Sequence, residues 1–233
     1  MSKLTFKRSE LKYVLTSMQY GKIVREIKNR LNPDEYGKST IQSLYYDTDT
    51  FLLIRNSLEK PDYKEKLRAR SYGLCKNDEE IFFELKKKYE KVVYKRRVRV
   101  TERHANELLN GKEQPQSQVE KEIVAFSKRF CGLSPKMLLL YDREAYYGGD
   151  LRITFDHDAR YRTQNLNLHT STEGKRILPN GEVIMEIKAS GGYPLWLVEI
   201  LNEEKIFKTS FSKYGTAYLI ELKKSLERKK EIA

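Results

Sequence analysis

The ten residues from Tyr63 to Tyr72, YKEKLRARSY, constrain the fold more than any other part of the chain. Read with the two-residue period of a β-strand, they put Lys64, Lys66, Arg68 and Arg70 on one face and Tyr63, Leu67 and Ala69 on the other. Same-face neighbours on a strand lie about 7 Å apart, so each like-charged pair repels by about 2 kcal/mol at an effective dielectric of about 20. On an open surface, solvent and salt remove most of that repulsion. Away from bulk water, only an anion can.

The same pattern recurs along the chain. In EEIFFELKKKY, Glu80, Glu84, Lys86 and Lys88 oppose Ile81, Phe83 and Leu85. In KVVYKRRVRV, Lys95, Arg97 and Arg99 oppose Tyr94, Val98 and Val100. In LLLYDREAYY, Arg143 shares a parity with Tyr141, and LRITFDHD sets Arg152, Thr154 and Asp156 against Leu151, Ile153 and Phe155. GEVIMEIKAS sets Glu182, Glu186 and Lys188 against Val183, Met185 and Ile187. Two architectures accommodate this. One is a one-sided antiparallel sheet with its charged face in water. The other is a closed barrel with the charges inward, for which about eight strands suffice. Cations inside a barrel would need anions, and Arg and Lys suit phosphates. The interspersed carboxylates could then take a divalent cation through oxygen.

The rest of the 233 residues fits either reading. Strands are expected at about 4–15, 39–48, 63–72, 80–88, 91–101, 136–147 and 151–159, with an eighth after a turn at Asn180-Gly181. Six helices are expected. The first, 18–31, is capped by Ser17 and closed by Asn32-Pro33, and the second, 50–58, is capped by Thr48 or Asp49. The others are 102–112 with Gly111 as C-cap, a stretch starting near Ser117, one after Pro194, and a long one from about Ser210 to the end. Residues 160–180 read as a loop. Hairpin-joined strands with inserted helices predict an α+β chain with an antiparallel sheet, and no linker divides residues 1–233, so a single domain is expected.

The formal net charge of +12 points to an anionic partner, and 16 Tyr with 9 Phe can build a core. Cys75 and Cys131 make neither a disulfide framework nor a metal-ligand spacing, which suits a reducing compartment. No secretory h-region and no 20-residue apolar run are seen, so a cytoplasmic protein is expected. Gly37-Lys38-Ser39 lacks the upstream glycine of a P-loop, where Asn32 stands, and no G-x-G-x-x-G occurs. His104, His157 and His169 are scattered and receive no role.

RSELKY, KLRARSYG, FFELKKKYEKVVYKRR, YDREAY, RITFD, ILPNGEVIMEIK and SFSKY, in that order from about Lys7 to Gly215, resemble the vacuolar transporter chaperone (VTC) domain. That domain is the polyphosphate polymerase branch of the triphosphate tunnel metalloenzymes. The resemblance implies a closed antiparallel eight-stranded tunnel with flanking helices, and transfer of the γ-phosphate of ATP to inorganic polyphosphate with Mn²⁺ or Mg²⁺. It implies Lys12, Arg68, Arg70, Lys86, Lys95, Arg143, Arg152 and Lys188 as catalytic cations, and Lys66, Arg97, Ser212 and Lys213 as further phosphate contacts. Tyr141 would meet the nucleotide. Glu186 would be the main metal ligand, with Glu10, Glu84 and Asp156 as further candidates, Glu10 and Glu84 serving alternatively to orient Lys12 and Lys86. Ser210 stands where the family carries a lysine, with Lys208 close by. A triphosphatase or tripolyphosphatase of the same fold, and a non-catalytic module for polyphosphate, inositol phosphates or RNA, are the rival readings. RNA is disfavoured because most strand aromatics take the apolar parity. The basic tail KKSLERKK would either keep the last helix soluble or serve a membrane-protein partner at the tunnel mouth.

Overall fold

The computed structural model describes residues 9–76, 78–90, 92–130, 132–179 and 181–232. Cys131, Asn180 and the predicted strand residues before Ser9 lie outside them. In chain order the elements are β1 (Ser9–Leu15), α1 (Ser17–Lys28), β2 (Asn32–Pro33), β3 (Ser39–Asp47), α2 (Leu52–Leu58), β4 (Tyr63–Tyr72), β5 (Glu80–Tyr89) and β6 (Val92–Thr101). Then come α3 (Glu102–Leu109), α4 (Gln118–Arg129), β7 (Ser134–Gly148), β8 (Leu151–Arg162), β9 (Lys175–Arg176), β10 (Val183–Ala189), α5 (Leu195–Glu203) and α6 (Lys213–Ile232). The fold is α+β, an antiparallel sheet with flanking helices.

The described strands form one ten-stranded sheet of order β1-β10-β8-β7-β3-β4-β5-β6, with β2 added on β7 and β9 on β8. The expected closed eight-stranded barrel is therefore corrected: eight long strands are present, but β1 and β6 end the path and two short strands are added. Residue parity fixes which face a side chain takes. Closure depends on strand tilt and stagger, which a two-residue period does not encode.

The chain divides into two compact units, each assembled from three segments: Met1–Thr40, Tyr141–Ala159 and Leu178–Ser212 in the first, Ile41–Leu140, Arg160–Ile177 and Lys213–Ala233 in the second. In the first unit, Leu15, Ile153, Phe155, Met185 and Ile187 from the strands bury against Ile23 and Ile27 of α1 and Leu197 of α5. In the second, Leu44, Leu67, Phe83, Leu85 and Leu140 bury against Ala105 of α3 and Ile123 and Phe126 of α4. Each fully buried Leu, Ile or Phe contributes about 1.5–3 kcal/mol, so α1 and α5 in the first unit and α3 and α4 in the second cover the apolar parity.

Local chemistry explains where the elements begin and end. Thr16, not Ser17, caps α1, because Thr16 and Gln19 complete a reciprocal capping box. The Ser17 hydroxyl instead donates to the Gly181 carbonyl at 2.8 Å. The helix stops at Lys28, three residues early, and Asn32–Pro33 goes on to pair with Tyr146 and Tyr147. For α2 the capping comes from the strand before it: Asp47 accepts from the amides of Leu53 and Ile54, and Thr48 Oγ1 accepts from Leu52. Gly111 closes α3 at φ +69°, with Lys112 N–H donating to the Glu107 carbonyl and Gly111 N–H to Leu108 in a Schellman motif. The expected loop at 160–180 is shortened at both ends, because β8 runs on to Arg162 and pairs Arg160 with Arg176 and Tyr161 with Lys175 in β9.

Candidate functional site

Both units carry charge on the parity opposite the one that packs on α1, α3, α4 and α5, but with different balance. In the second unit the strand registers build cross-strand rows. Tyr45, Arg68, Glu84 and Arg97 form one, and Lys66, Lys86 and Lys95 form the next. Arg70 lies opposite Ser43, and its Nε donates to the Ser43 hydroxyl at 3.2 Å. Nine cations (Lys64, Lys66, Arg68, Arg70, Lys86, Lys88, Lys95, Arg97 and Arg99) thus share a parity with three carboxylates, Asp47, Glu80 and Glu84. Like charges directly opposite on neighbouring strands destabilise a sheet, so three lysines in one row mark a face shaped for something other than stability.

Glu84 is the hub of that face. It is 1% exposed, takes Arg68 at 2.7 Å and takes Lys95 at 2.6 Å. Burial pushes its carboxyl up, but the charges of Arg68, Arg70 and Lys95 outweigh this and bring it down to about 2. Glu84 therefore holds Arg68 and Lys95 on the two neighbouring strands.

Tyr45 is a residue that parity reading missed. Its hydroxyl accepts from Arg68 Nη1 at 3.1 Å, and its ring stacks on Tyr214 at 4.5 Å with an interplanar angle of 24°. Tyr214, in the first turn of α6, donates to Asp47 at 2.9 Å, and Lys66 Nζ lies 6.0 Å from its ring centroid. Burial raises the Tyr45 phenol, but Arg68, Lys66 and Arg70 together pull it down to about 7. The signal available in SLYYDT was that Ser43, Tyr45 and Asp47 share one parity. A spectrophotometric titration of the tyrosinate band is expected to show one of the 16 tyrosines ionising near pH 7, with the step missing in Tyr45→Phe. A titration with no step below pH 9 to 10, the ordinary phenol range of about 10, would show that the three cations do not act on this ring.

In the first unit the face is nearly neutral. Lys12, Glu186 and Thr154 form one row across β1, β10 and β8, and Glu10, Lys188 and Arg152 form the next. Lys188 Nζ lies 2.7 Å from Glu186 and 3.9 Å from Glu10, and Lys12 lies 3.8 Å from both. Burial raises the Glu186 carboxyl, but Lys188, Lys12 and Arg143 hold it well below the usual carboxylate range. Arg143 grips Asp156 bidentately, Nε to Oδ1 at 2.5 Å and Nη2 to Oδ2 at 2.8 Å. Arg152 is tied to Asp34 at 2.6 Å, a partner far off in sequence.

Tyr141 is 4% exposed, and the Arg143 guanidinium lies 5.2 Å from its ring centroid. Among the described residues no group of three or more His, Cys, Asp or Glu is placed to hold a metal. Glu84 and Glu186 belong to different units, and Asp156 is taken up by Arg143. Glu10 and Glu186, bridged by the same two lysines, are the pair with the chemistry for a divalent ion of the kind that takes one or two carboxylates and completes its shell with phosphate oxygens and water. Ser212 and Lys213 lie at the start of α6, where a helix N-terminus favours anions. Lys208 and Ser210 are exposed.

The histidines are occupied elsewhere. His104 faces Glu120 at 3.6 Å, His157 faces Glu144 at 3.0 Å and His169 faces Glu102 at 2.9 Å.

The profile of the VTC domain matches residues 7–221. No curated protein matches the chain in sequence. Among solved structures, the chain is similar to a protein from Bacillus halodurans described as a "putative adenylate cyclase", at 15% identity over 88% of this chain and 95% of that one, with a TM-score of 0.55. A protein from Vibrio parahaemolyticus described in the same words aligns at 11% identity over 91% of this chain and 97% of that one, with a TM-score of 0.48. At such identities the first likeness speaks for the fold alone.

Proposed function

Because the chain belongs to the VTC-domain family, we propose that it is a phosphotransferase that moves the γ-phosphate of ATP onto a growing chain of inorganic polyphosphate. The observation that carries this reading is the second unit's pair of rows, Arg68–Glu84–Arg97 beside Lys66–Lys86–Lys95. A string of phosphates carries negative charge at a spacing that such rows can meet, and binding relieves the lysines' mutual repulsion.

Phosphoryl transfer asks a protein mainly for positioning and charge neutralisation. Arg68 and Arg70 are held rigid by Glu84 and Ser43, so in this reading they grip phosphate oxygens without first being ordered. Lys66, Lys86, Lys95 and Arg97 extend the grip along the sheet. In the first unit Lys12, Lys188, Arg143 and Arg152 serve the same chemistry, with Ser212 and Lys213 contributing at the start of α6. The nucleophile is a terminal phosphate, already ionised, so no general base is needed, in keeping with three histidines engaged by carboxylates. Mn²⁺ or Mg²⁺ held by Glu186 and Glu10 would supply further neutralisation of phosphate charge. Against the effect of burial, Lys188, Lys12 and Arg143 hold the Glu186 carboxyl below the usual carboxylate range, which keeps it ionised for such an ion.

No described helix is long and apolar enough to cross a membrane, and Cys75 is a free, buried thiol. Both suit the cytoplasmic placement that goes with this reading.

The test is to incubate the purified chain with ATP and Mn²⁺ and to resolve the products on a polyphosphate gel. A ladder of polyphosphate with ADP is expected. Free phosphate without a ladder would make water the acceptor and the protein a hydrolase, and unchanged ATP would leave a phosphate-binding module. Within the same assay, Glu186→Gln is expected to raise the metal concentration needed for half-maximal turnover on the order of 10- to 100-fold. A superimposable metal titration would remove Glu186 from the metal site.

A further inference from the structure

The end of the β4–β5–β6 meander combines apolar exposure with positive charge. Tyr63, Tyr89, Val92, Val93 and Tyr94 are each between 45% and 55% exposed. One to two rungs inward, Leu67 and Leu85 are fully buried. The register places Tyr63, Tyr89 and Val92 in one cross-strand row, with Tyr94 on the same face, while Val93 lies on the other face opposite Lys88, which in turn pairs with Lys64. The tip is therefore apolar on both faces. Glu90, at φ +48°, makes the tight turn and donates its N–H to the Asp62 carbonyl at 2.6 Å.

Around these side chains stand Lys60, Lys64, Lys87 and Lys88, against Asp62 and Glu90; Glu65 is already taken by Arg129 at 2.8 Å. Lys64 stands directly opposite Lys88, and burial, then the charges of Lys88 and Lys60, push its ammonium down. A second copy of the chain is a poor occupant, because Lys95, Arg96, Arg97 and Arg99 along β6 would face their own kind across a strand-to-strand contact. A groove in a protein would cover one face of the hairpin, whereas apolar groups here point both ways. A fluid interface reaches both faces at once, tyrosines favour the level of the headgroups, and lysines favour anionic lipid.

We propose that the tip of the β5–β6 hairpin docks on an anionic lipid surface, Tyr63, Tyr89, Val92, Val93 and Tyr94 entering the interfacial layer and the surrounding lysines meeting lipid phosphates. This does not rest on the enzymatic reading. The test is sedimentation of the full chain with phosphatidylcholine vesicles with and without phosphatidylserine, alongside Val92→Asp/Val93→Asp and Tyr89→Ser, whose folding is checked by circular dichroism. Sedimentation only with phosphatidylserine vesicles, reduced at least about tenfold in the variants, is expected. Three outcomes overturn the proposal. Wild-type protein that stays in the supernatant with both vesicle types leaves the patch to a protein partner. Equal sedimentation with both lipids removes the role of charge. Variants that sediment as well as wild type show that net charge alone attracts the chain.

Discussion

Arg68→Ala is expected to lower ATP turnover by about 10²–10³-fold, the range found when one preorganised charge-stabilising donor is removed from an active site. It is also expected to lower stability. Considered on β4 alone, removing one cation from a row of four should relieve repulsion. The structure changes that expectation, because Arg68 is a partner of Glu84, a carboxylate 1% exposed. Without Arg68 that carboxylate keeps Lys95 at 2.6 Å but loses its guanidinium, and removing one member of a buried ion pair costs about 3–5 kcal/mol. Denaturant unfolding run beside the turnover assay separates the two effects: Arg68→Lys restores a charge for Glu84 and most of the stability, but not the two-pronged grip on phosphate. Normal turnover in folded Arg68→Ala would remove this strand from the site.

Glu84→Gln is also expected to be strongly destabilising, and its signature is in pH. The carboxyl is held at about 2 against an ordinary 4.5. A group whose pKa is depressed by folding contributes stability that is present above the unfolded value and is lost as pH falls through the folded one. Here that window runs from about pH 4.5 down to about pH 2, and the difference corresponds to about 3 kcal/mol. Unfolding free energies measured across that range should fall steeply for the wild-type chain and more gently for Glu84→Gln, whose deficit is already present at neutral pH. Parallel curves would mean that Glu84 is not held by its cations.

Much of this was legible before any coordinates. Alternation assigned Lys66, Arg68, Arg70, Lys86, Lys95, Arg97, Glu186 and Lys188 to the charged parity, and the apolar parity to the helices, because the side-chain period of a strand is fixed by its backbone. Partnership was not legible. Glu84 reaches Arg68 and Lys95 on the two neighbouring strands, because cross-strand register selects such contacts and no single strand encodes them. For the same reason Arg152 meets Asp34, and Tyr45 enters the cation cluster from a strand whose own composition is unremarkable in charge. Closure escaped reading because eight strands are compatible with an open sheet or a barrel. The short β2 and β9 escaped because two polar residues carry no periodicity.

The central claim is that these strand faces are built to hold phosphates. Calorimetric titration of the wild-type chain with inorganic tripolyphosphate over a series of salt concentrations tests it most directly. The account predicts saturable binding that weakens steeply as salt screens the cations; a chain that takes up no tripolyphosphate even at low ionic strength would contradict it.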